Sequence, residues 1–253
     1  NKRSLYINLS TNEIKQKPVT DLMIDKFVGG KGFDLYLMWH GVKDDTKWDS
    51  PENEICISFG PLCGNTSYPG SGKSIVTTIS PLTGIPVDCN VGGHFGPYAK
   101  FSGWDAIELQ GIANEEIIVY IDGDRGIVQI LSAPDEEINS HILAEELVKE
   151  FADDENKYQF VSVVSSGKAA DNVLITCLNF SFWDKRRKVA RLKQAGRGGT
   201  GSVFRHKKIK AMVVKYSGLK VDSNNPVDVE TIRMRGLKLH REIEAGDDTQ
   251  NRM

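Results

Sequence analysis

The sequence predicts an α+β fold: an internally duplicated β-sheet domain with segregated helices, followed by the start of a helical region. Two observations carry this. Strand-like runs and helical runs do not alternate regularly, as a doubly wound parallel sheet would require. Two glycine clusters, Gly92-Gly93-His94-Phe95-Gly96 and Gly198-Gly199-Thr200-Gly201, are each followed by a strand of matched shape, Trp104–Gly111 and Ile209–Gly218. Upstream of them, Ser74–Ile79 answers to Val173–Leu178, so three features repeat in the same order at an offset of roughly a hundred residues. The predicted boundary lies at residue 221, with 1–221 as the duplicated domain and 222–253 as the beginning of a helical region or a docking helix.

Leu5, Ile7 and Leu9 alternate as in a strand and meet the turn Ser10-Thr11-Asn12, with Glu13–Lys17 as the hairpin partner. Asp21–Phe27 reads as a short helix closed by Gly29-Gly30, and a second helix runs from Gly32 to Trp39. Ser50-Pro51-Glu52-Asn53 is a turn before the strand Glu54–Phe59. Ser74–Ile79, Ala106–Gln110 and Ile117–Asp122 are further strands, the last turning through Asp122-Gly123-Asp124-Arg125-Gly126 into Ile127–Leu131. Ile138–Phe151 has helical periodicity, and Phe160–Val164, Val173–Leu178 and Ile209–Val214 complete the strands. Asn224-Asn225-Pro226-Val227-Asp228 opens a helix over Val229–Ile243, and Asp247–Met253 is polar.

The composition excludes several classes. Across 253 residues, 32 Lys and Arg face 34 Asp and Glu, so no global field recruits nucleic acid or an anionic membrane. No apolar run reaches the ~18 residues of a membrane span, and the first residues enter a strand pattern without a signal-peptide core. Cys56, Cys63, Cys89 and Cys177 contain no CxxC pair, which excludes a zinc ribbon or a local iron–sulfur motif and fits a reducing, cytoplasmic compartment.

Three segments carry chemistry. Ser67–Ser74 resembles a phosphate loop but lacks its first glycine and runs into a strand instead of a helix; what remains is a glycine-rich loop presenting Lys73 to an anion. Between Lys185 and Arg197 lie seven cations and no acid, leading into Ala195-Gly196-Arg197-Gly198-Gly199, where successive main-chain N–H groups can form an anion nest. A solvated basic loop and an RNA-binding surface are the other readings, the latter weakened by the lack of interleaved aromatics. In Asn90-Val91-Gly92-Gly93, Asn90 suits a tight turn whose carbonyl is available to a cation, and the glycines allow close approach of a ligand. Cys63 and Cys89 read as small core residues.

Taken in order, these motifs resemble a known family. Ile7-Asn8-Leu9-Ser10-Thr11, Gly29-Gly30-x-Gly32, Ser50-Pro51-Glu52-Asn53, Gly60-Pro61-Leu62 and Ser80-Pro81-Leu82-Thr83-Gly84 are followed by Asn90-x-Gly92-Gly93-x-Phe95-Gly96. Lys100-Phe101-x-Gly103-Trp104-Asp105-Ala106-Ile107 and Ala195-Gly196-Arg197-Gly198-Gly199-x-Gly201 complete the set. Together they are similar to the N-terminal domain of aldehyde:ferredoxin oxidoreductases, the tungsten or molybdenum bis-pterin enzymes, over about residues 3–221.

The resemblance implies a bis-pterin cofactor carrying tungsten or molybdenum. Lys73, Asn90, Val91, Gly92 and Gly93 would lie against one pterin, and Lys193, Gln194, Ala195, Gly196, Arg197, Gly198 and Gly199 against the other. Main-chain carbonyls of Asn90 and Gln194 would hold a magnesium ion bridging the phosphates, and no side chain would ligate the metal. Lys73 and Lys193 stand where the family has Arg, which keeps the charge but loses the bidentate fork. The insertion Phe182–Val189 has no family counterpart. The implied [4Fe–4S] cluster needs cysteines that these residues do not supply in the required spacing, so the resemblance places it on missing C-terminal domains or a second chain. The implied activity is aldehyde oxidation to carboxylate with a ferredoxin or iron–sulfur subunit as acceptor, in an oligomer without nucleic acid or membrane. The resemblance places the residues for substrate acid–base chemistry beyond this domain and leaves the catalytic residues unknown. A tungsten aryl-CoA reductase-like subunit and a cofactor-free structural homologue are the alternatives.

Overall fold

The computed structural model describes residues 1–134, 139–218 and 226–246. Among these residues, twelve strands and six α-helices follow one another as β1 (Arg3–Asn8), β2 (Glu13–Pro18), α1 (Asp21–Lys26), α2 (Lys31–Gly41), β3 (Ile55–Phe59), β4 (Ser74–Ile79), β5 (Pro86–Val91), α3 (Phe95–Phe101) and β6 (Ala106–Gln110). Then come β7 (Ile117–Asp122), β8 (Ile127–Ser132), α4 (Ser140–Phe151), β9 (Val161–Ser165), β10 (Leu178–Asp184), β11 (Val189–Ala195), α5 (Thr200–His206), β12 (Ile209–Lys215) and α6 (Val229–Ala245).

The strands form two six-stranded sheets, β2-β1-β6-β3-β4-β5 and β8-β7-β12-β9-β10-β11. Adding six to each strand number of the first converts it into the second. The one parallel pairing also repeats: β1 runs with β6, β7 runs with β12, and every other neighbour is antiparallel. The duplication is therefore real, but one of the three matched features is not. Val173–Leu178 is not a strand; β4 corresponds to β10. Val173, Leu174 and Ile175 are exposed, so this β-branched run is a surface connection that enters the sheet only at Leu178.

The two sheets face one another across a shared core. Leu5, Ile57, Val76 and Leu109 of the first sheet meet Val119, Val164, Phe180 and Met212 of the second, all nearly inaccessible. The short helices α3 and α5 occupy equivalent places in this core, with Phe95 edge-on to Phe180 at 5.7 Å and Phe204 fully buried. Helices of seven residues have little intrinsic helicity; burial holds them. The outer faces are covered separately. Helix α2 places Met38 against Cys56 and Ile79. Helix α4 places Leu143, Ala144, Leu147 and Val148 on Ile118, Val161, Val163, Ala211 and Val213.

Local chemistry sets the ends of these elements. Asn139 Oδ1 accepts from the His141 and Ile142 N–H groups at 3.0 and 3.1 Å, starting α4 two residues after the expected position. Residue Ile138 lies outside the described residues, as do the predicted boundary at 221, Asn224-Asn225 and Asp247–Met253. Asp228 caps α6 through the Thr231 N–H at 2.8 Å. Gly236 lets α6 rest on the main chain at Ser67 and Tyr68, where a Cβ would collide. No helix among the described residues is long and apolar enough to cross a membrane.

Candidate functional site

Two of the segments singled out in the sequence end in strands the sequence did not reveal. Asn90-Val91 closes β5 and Gln194-Ala195 closes β11, each an edge strand of its own sheet, and the two edges pack against one another. Asn90 and Gln194 are both the penultimate residue of their strand, so the duplication makes them equivalent. Val91 and Ala195, one residue on, turn into the shared core, which leaves only their main chain to a ligand.

The glycine turns after these strands cross between the halves. Gly93 has φ +101°, and a Cβ there would stand 3.2 Å from the carbonyl oxygens of both Phe180 and Ser181 on β10. The His94 N–H donates to Ser181 O at 3.2 Å. In return Gly198, at φ +68°, fits against Val87 of β5, where any side chain would collide. Glycine is required at both turns because the backbone is left-handed and the opposing strand is in contact.

At Gly92 these elements line an open cavity of about 290 Å³, bordered by Gly70, Gly72, Lys73, Gly92, Gly93, His94, Phe182 and Lys193. A Cβ on Gly92 would lie 3.9 Å from Lys73 Nζ and 3.7 Å from Lys193 Cγ. One cation from each half of the duplication thus converges on a bare stretch of backbone. Both lysines are exposed, and neither is ion-paired among the described residues. Lys73 also borders a second cavity of about 400 Å³ against Gly29, Gly30, Gly60, Pro61 and Cys63.

The basic run is not one surface. Lys185–Lys188 forms the β10–β11 turn, organised by Asp184, whose Oδ1 accepts from the Arg186 and Arg187 N–H groups at 3.0 and 3.1 Å. Arg187 and Arg191 pair with the other oxygen of Asp184 at 2.9 and 3.5 Å. The Arg191 guanidinium and the Lys193 ammonium both lie 5.7 Å from the centre of the Phe182 ring. The segment 182–189 is therefore the second-half counterpart of the β4–β5 connection, with a tight turn of its own. Of the remaining predicted residues, Gln194, Gly196 and Arg197 are exposed beyond the cavity rim, Asn90 is exposed on β5, and Gly199 is buried as the left-handed N-cap of α5.

Cys56, Cys63 and Cys89 are buried and Cys177 is partly so; burial pushes the Cys63 thiol up to about 12. No group of three or more His, Cys, Asp or Glu among the described residues could hold a metal. Phe182 and His94 are the cavity residues that the sequence did not single out as ligands. The signal for Phe182 was its place in the half-repeat, which became visible only once β10 was in register.

The chain matches the family model for the aldehyde ferredoxin oxidoreductase N-terminal domain over residues 4–216. It is 32% identical over 244 residues to a tungsten-containing aldehyde ferredoxin oxidoreductase of Pyrococcus horikoshii, covering 96% of this chain and 37% of the relative. It is 34% identical over 215 residues to that of Thermococcus kodakarensis, covering 85% and 33%. An aliphatic sulfonate oxidoreductase, WOR-like subunit, of Pyrococcus furiosus is 25% identical over 235 residues, covering 86% and 35%. Among solved structures, the active site complex BamBC of benzoyl coenzyme A reductase with 1,5-dienoyl-CoA matches with a TM-score of 0.72 and 27% identity, over 85% of this chain and 31% of that one. The chain spans about a third of the length of the curated relatives it matches. With both sheets, both glycine turns and most of its length inside that match, the chain belongs to the aldehyde ferredoxin oxidoreductase N-terminal domain family.

Proposed function

We propose that this chain is the metallopterin-holding part of a tungsten or molybdenum oxidoreductase that oxidises aldehydes to carboxylates with ferredoxin as acceptor. The observation that carries the reading is the convergence of Lys73 and Lys193, one from each half, on the unobstructed backbone of Gly92. A pair of unneutralised ammonium groups over a glycine turn suits a phosphorylated, flat ligand: the charges meet the phosphates and the missing side chains admit the ring. The residues present therefore fit the cofactor that the family implies.

In this reading Lys73 and Lys193 bind phosphate oxygens as point charges, without the fixed fork of an arginine. Gly92 and Gly93 bring main chain against the ring. The main-chain carbonyls of Asn90 and Gln194 hold magnesium. Gly196, Arg197, Gly198 and Gly199 supply N–H donors and one further cation toward the second pterin. The bound metal centre supplies the two-electron chemistry; this chain contributes position and charge. The helical domains, the [4Fe–4S] cluster and the ferredoxin contact come from polypeptide beyond these residues or from a second chain, in a cytoplasmic oligomer.

The likeness to the BamBC complex favours a second reading, a tungsten aryl-CoA reductase-like subunit, because the same N-terminal fold serves that enzyme. Metal analysis and substrate assay separate the outcomes. Tungsten or molybdenum with pterin and aldehyde-dependent dye reduction supports the first reading. Metal and pterin with activity only on aryl-CoA substrates supports the second. A folded protein without either component marks a cofactor-free homologue.

A further inference from the structure

The cavity over Gly92 contains one side chain that the phosphate-binding role does not use. His94 lines it, with its ring fixed between Tyr98 and Phe182 at centroid distances of 5.5 and 5.6 Å. Its Nδ1 lies 3.1 Å from Tyr98 Oη. That hydroxyl has a single proton and donates it to the main-chain carbonyl of Gln159, which can only accept. The Nδ1···Oη contact must then be made by a hydrogen on Nδ1. The tautomer is set by this chain of two bonds, which leaves the lone pair on Nε2. It has no partner among the described residues, and it is not among the unpaired polar atoms sealed in the interior.

Burial holds the His94 pKa below its usual 6.5, which keeps Nε2 bare. Lys73 and Lys193 share the cavity, and the Arg191 guanidinium lies over the Phe182 ring. Asp105, in the connection after α3, is already paired with Lys100. The other polar side chains lining the cavity, Lys73 and Lys193, can only donate. His94 is the one side-chain acceptor in the lining.

We propose that His94 is the specificity-determining residue of this cavity, accepting through Nε2 a hydrogen bond from a ring N–H of the ligand whose anionic group Lys73 and Lys193 hold. The inference rests on the cofactor reading of the same cavity and narrows it. Two ammonium groups select any phosphate; an acceptor beside them, next to the apolar face of Phe182, selects a phosphate attached to a flat, amino-bearing heterocycle.

The test uses the full cofactor-free chain. Long-range nitrogen–proton NMR at pH 7 should show His94 with Nδ1 protonated and Nε2 bare, and Tyr98→Phe should release that tautomer; the opposite tautomer or an imidazolium in the wild type overturns the proposal. Calorimetric titration with inorganic phosphate and with guanosine monophosphate, which adds amino and ring N–H donors, reads the recognition. His94→Phe fills the place of the ring but lacks the lone pair. It should weaken guanosine monophosphate about threefold to tenfold while leaving phosphate unchanged, the size of one hydrogen bond. His94→Gln, whose amide oxygen reaches toward the Nε2 position, should recover part of the loss. Equal loss for both probes, or loss for neither, refutes the role of His94. The pterin content of the purified wild-type protein is scored separately: its absence refutes the cofactor reading, while an unchanged pterin content in His94→Phe refutes only the inference.

Discussion

Glu54 offers a test of the packing behind the first sheet. It is 1% exposed just before β3; its Oε1 has no hydrogen-bond partner and its Oε2 meets only the Cys56 thiol at 3.7 Å. Gly41 at the end of α2 lies directly against the carboxyl, leaving no room for a side chain or for solvation. Burial, reinforced by the nearby Glu108 carboxylate, raises the Glu54 pKa from 4.5 to about 7. In the unfolded chain the same group ionises near 4.5, so the folded state holds the proton more tightly. The favourable contribution is complete below pH 4.5 and is lost as pH rises through 7, because above it the folded protein carries a buried charge. At about 1.36 kcal/mol per pH unit, the displacement amounts to roughly 3 kcal/mol. Glu54→Gln keeps the shape and removes the titration. Urea unfolding at pH 5, 7 and 9 should show wild type losing up to that amount relative to the variant, most of it between pH 5 and 7.5. Parallel stability curves for the two proteins would refute the argument that Glu54 is buried without a compensating partner.

Four further outcomes follow from the same structure. Lys193→Ala removes a charge-assisted contact worth about 1.5–3 kcal/mol, so it should lower pterin retention while the melting temperature of the cofactor-free protein stays within a degree or two; full retention would return Lys193 to the solvated surface. Lys73→Arg should retain cofactor at least as well as wild type, since the fork adds a second donor. Gly93→Ala should destabilise by more than about 1 kcal/mol in thermal unfolding, because φ is positive and two carbonyls already stand at contact distance. Asn139→Ala should cost ~1 kcal/mol by leaving the first N–H groups of α4 uncapped.

What could be read from the sequence depended on whether a segment's signal was local. The strands at Leu5–Leu9, Ser74–Ile79 and Ile117–Asp122 alternate or cluster β-branched residues, and α4 shows its apolar stripe at helical spacing, so these were legible. The repeat was legible from its glycines because glycine marks positions where backbone meets backbone. Edge strands β5 and β11 were not, since Asp88, Asn90, Arg191, Lys193 and Gln194 look like loop residues when one strand edge has no ladder partner. Val173–Leu178 misled for the converse reason: β-branched residues suggested a strand where no neighbouring strand covers them. Helices α3 and α5 owe their form to burial between the sheets, which no local propensity reports. Of the residues lining the cavity, Lys73, Gly92, Gly93 and Lys193 are the ones that charge and glycine placement point to. His94 and Phe182 needed the crossing of the Gly93 turn onto β10, a contact between residues 87 positions apart along the chain at its closest pair, Gly93 and Phe180.

The central claim is that this duplicated domain holds a metallopterin, and elemental analysis of the protein purified together with its native partners tests it most directly. Tungsten or molybdenum is predicted in stoichiometric amount, accompanied by pterin fluorescence after acid oxidation, and both should fall when Lys73 and Lys193 are replaced together by Ala. A folded protein that carries neither metal nor pterin would contradict the account.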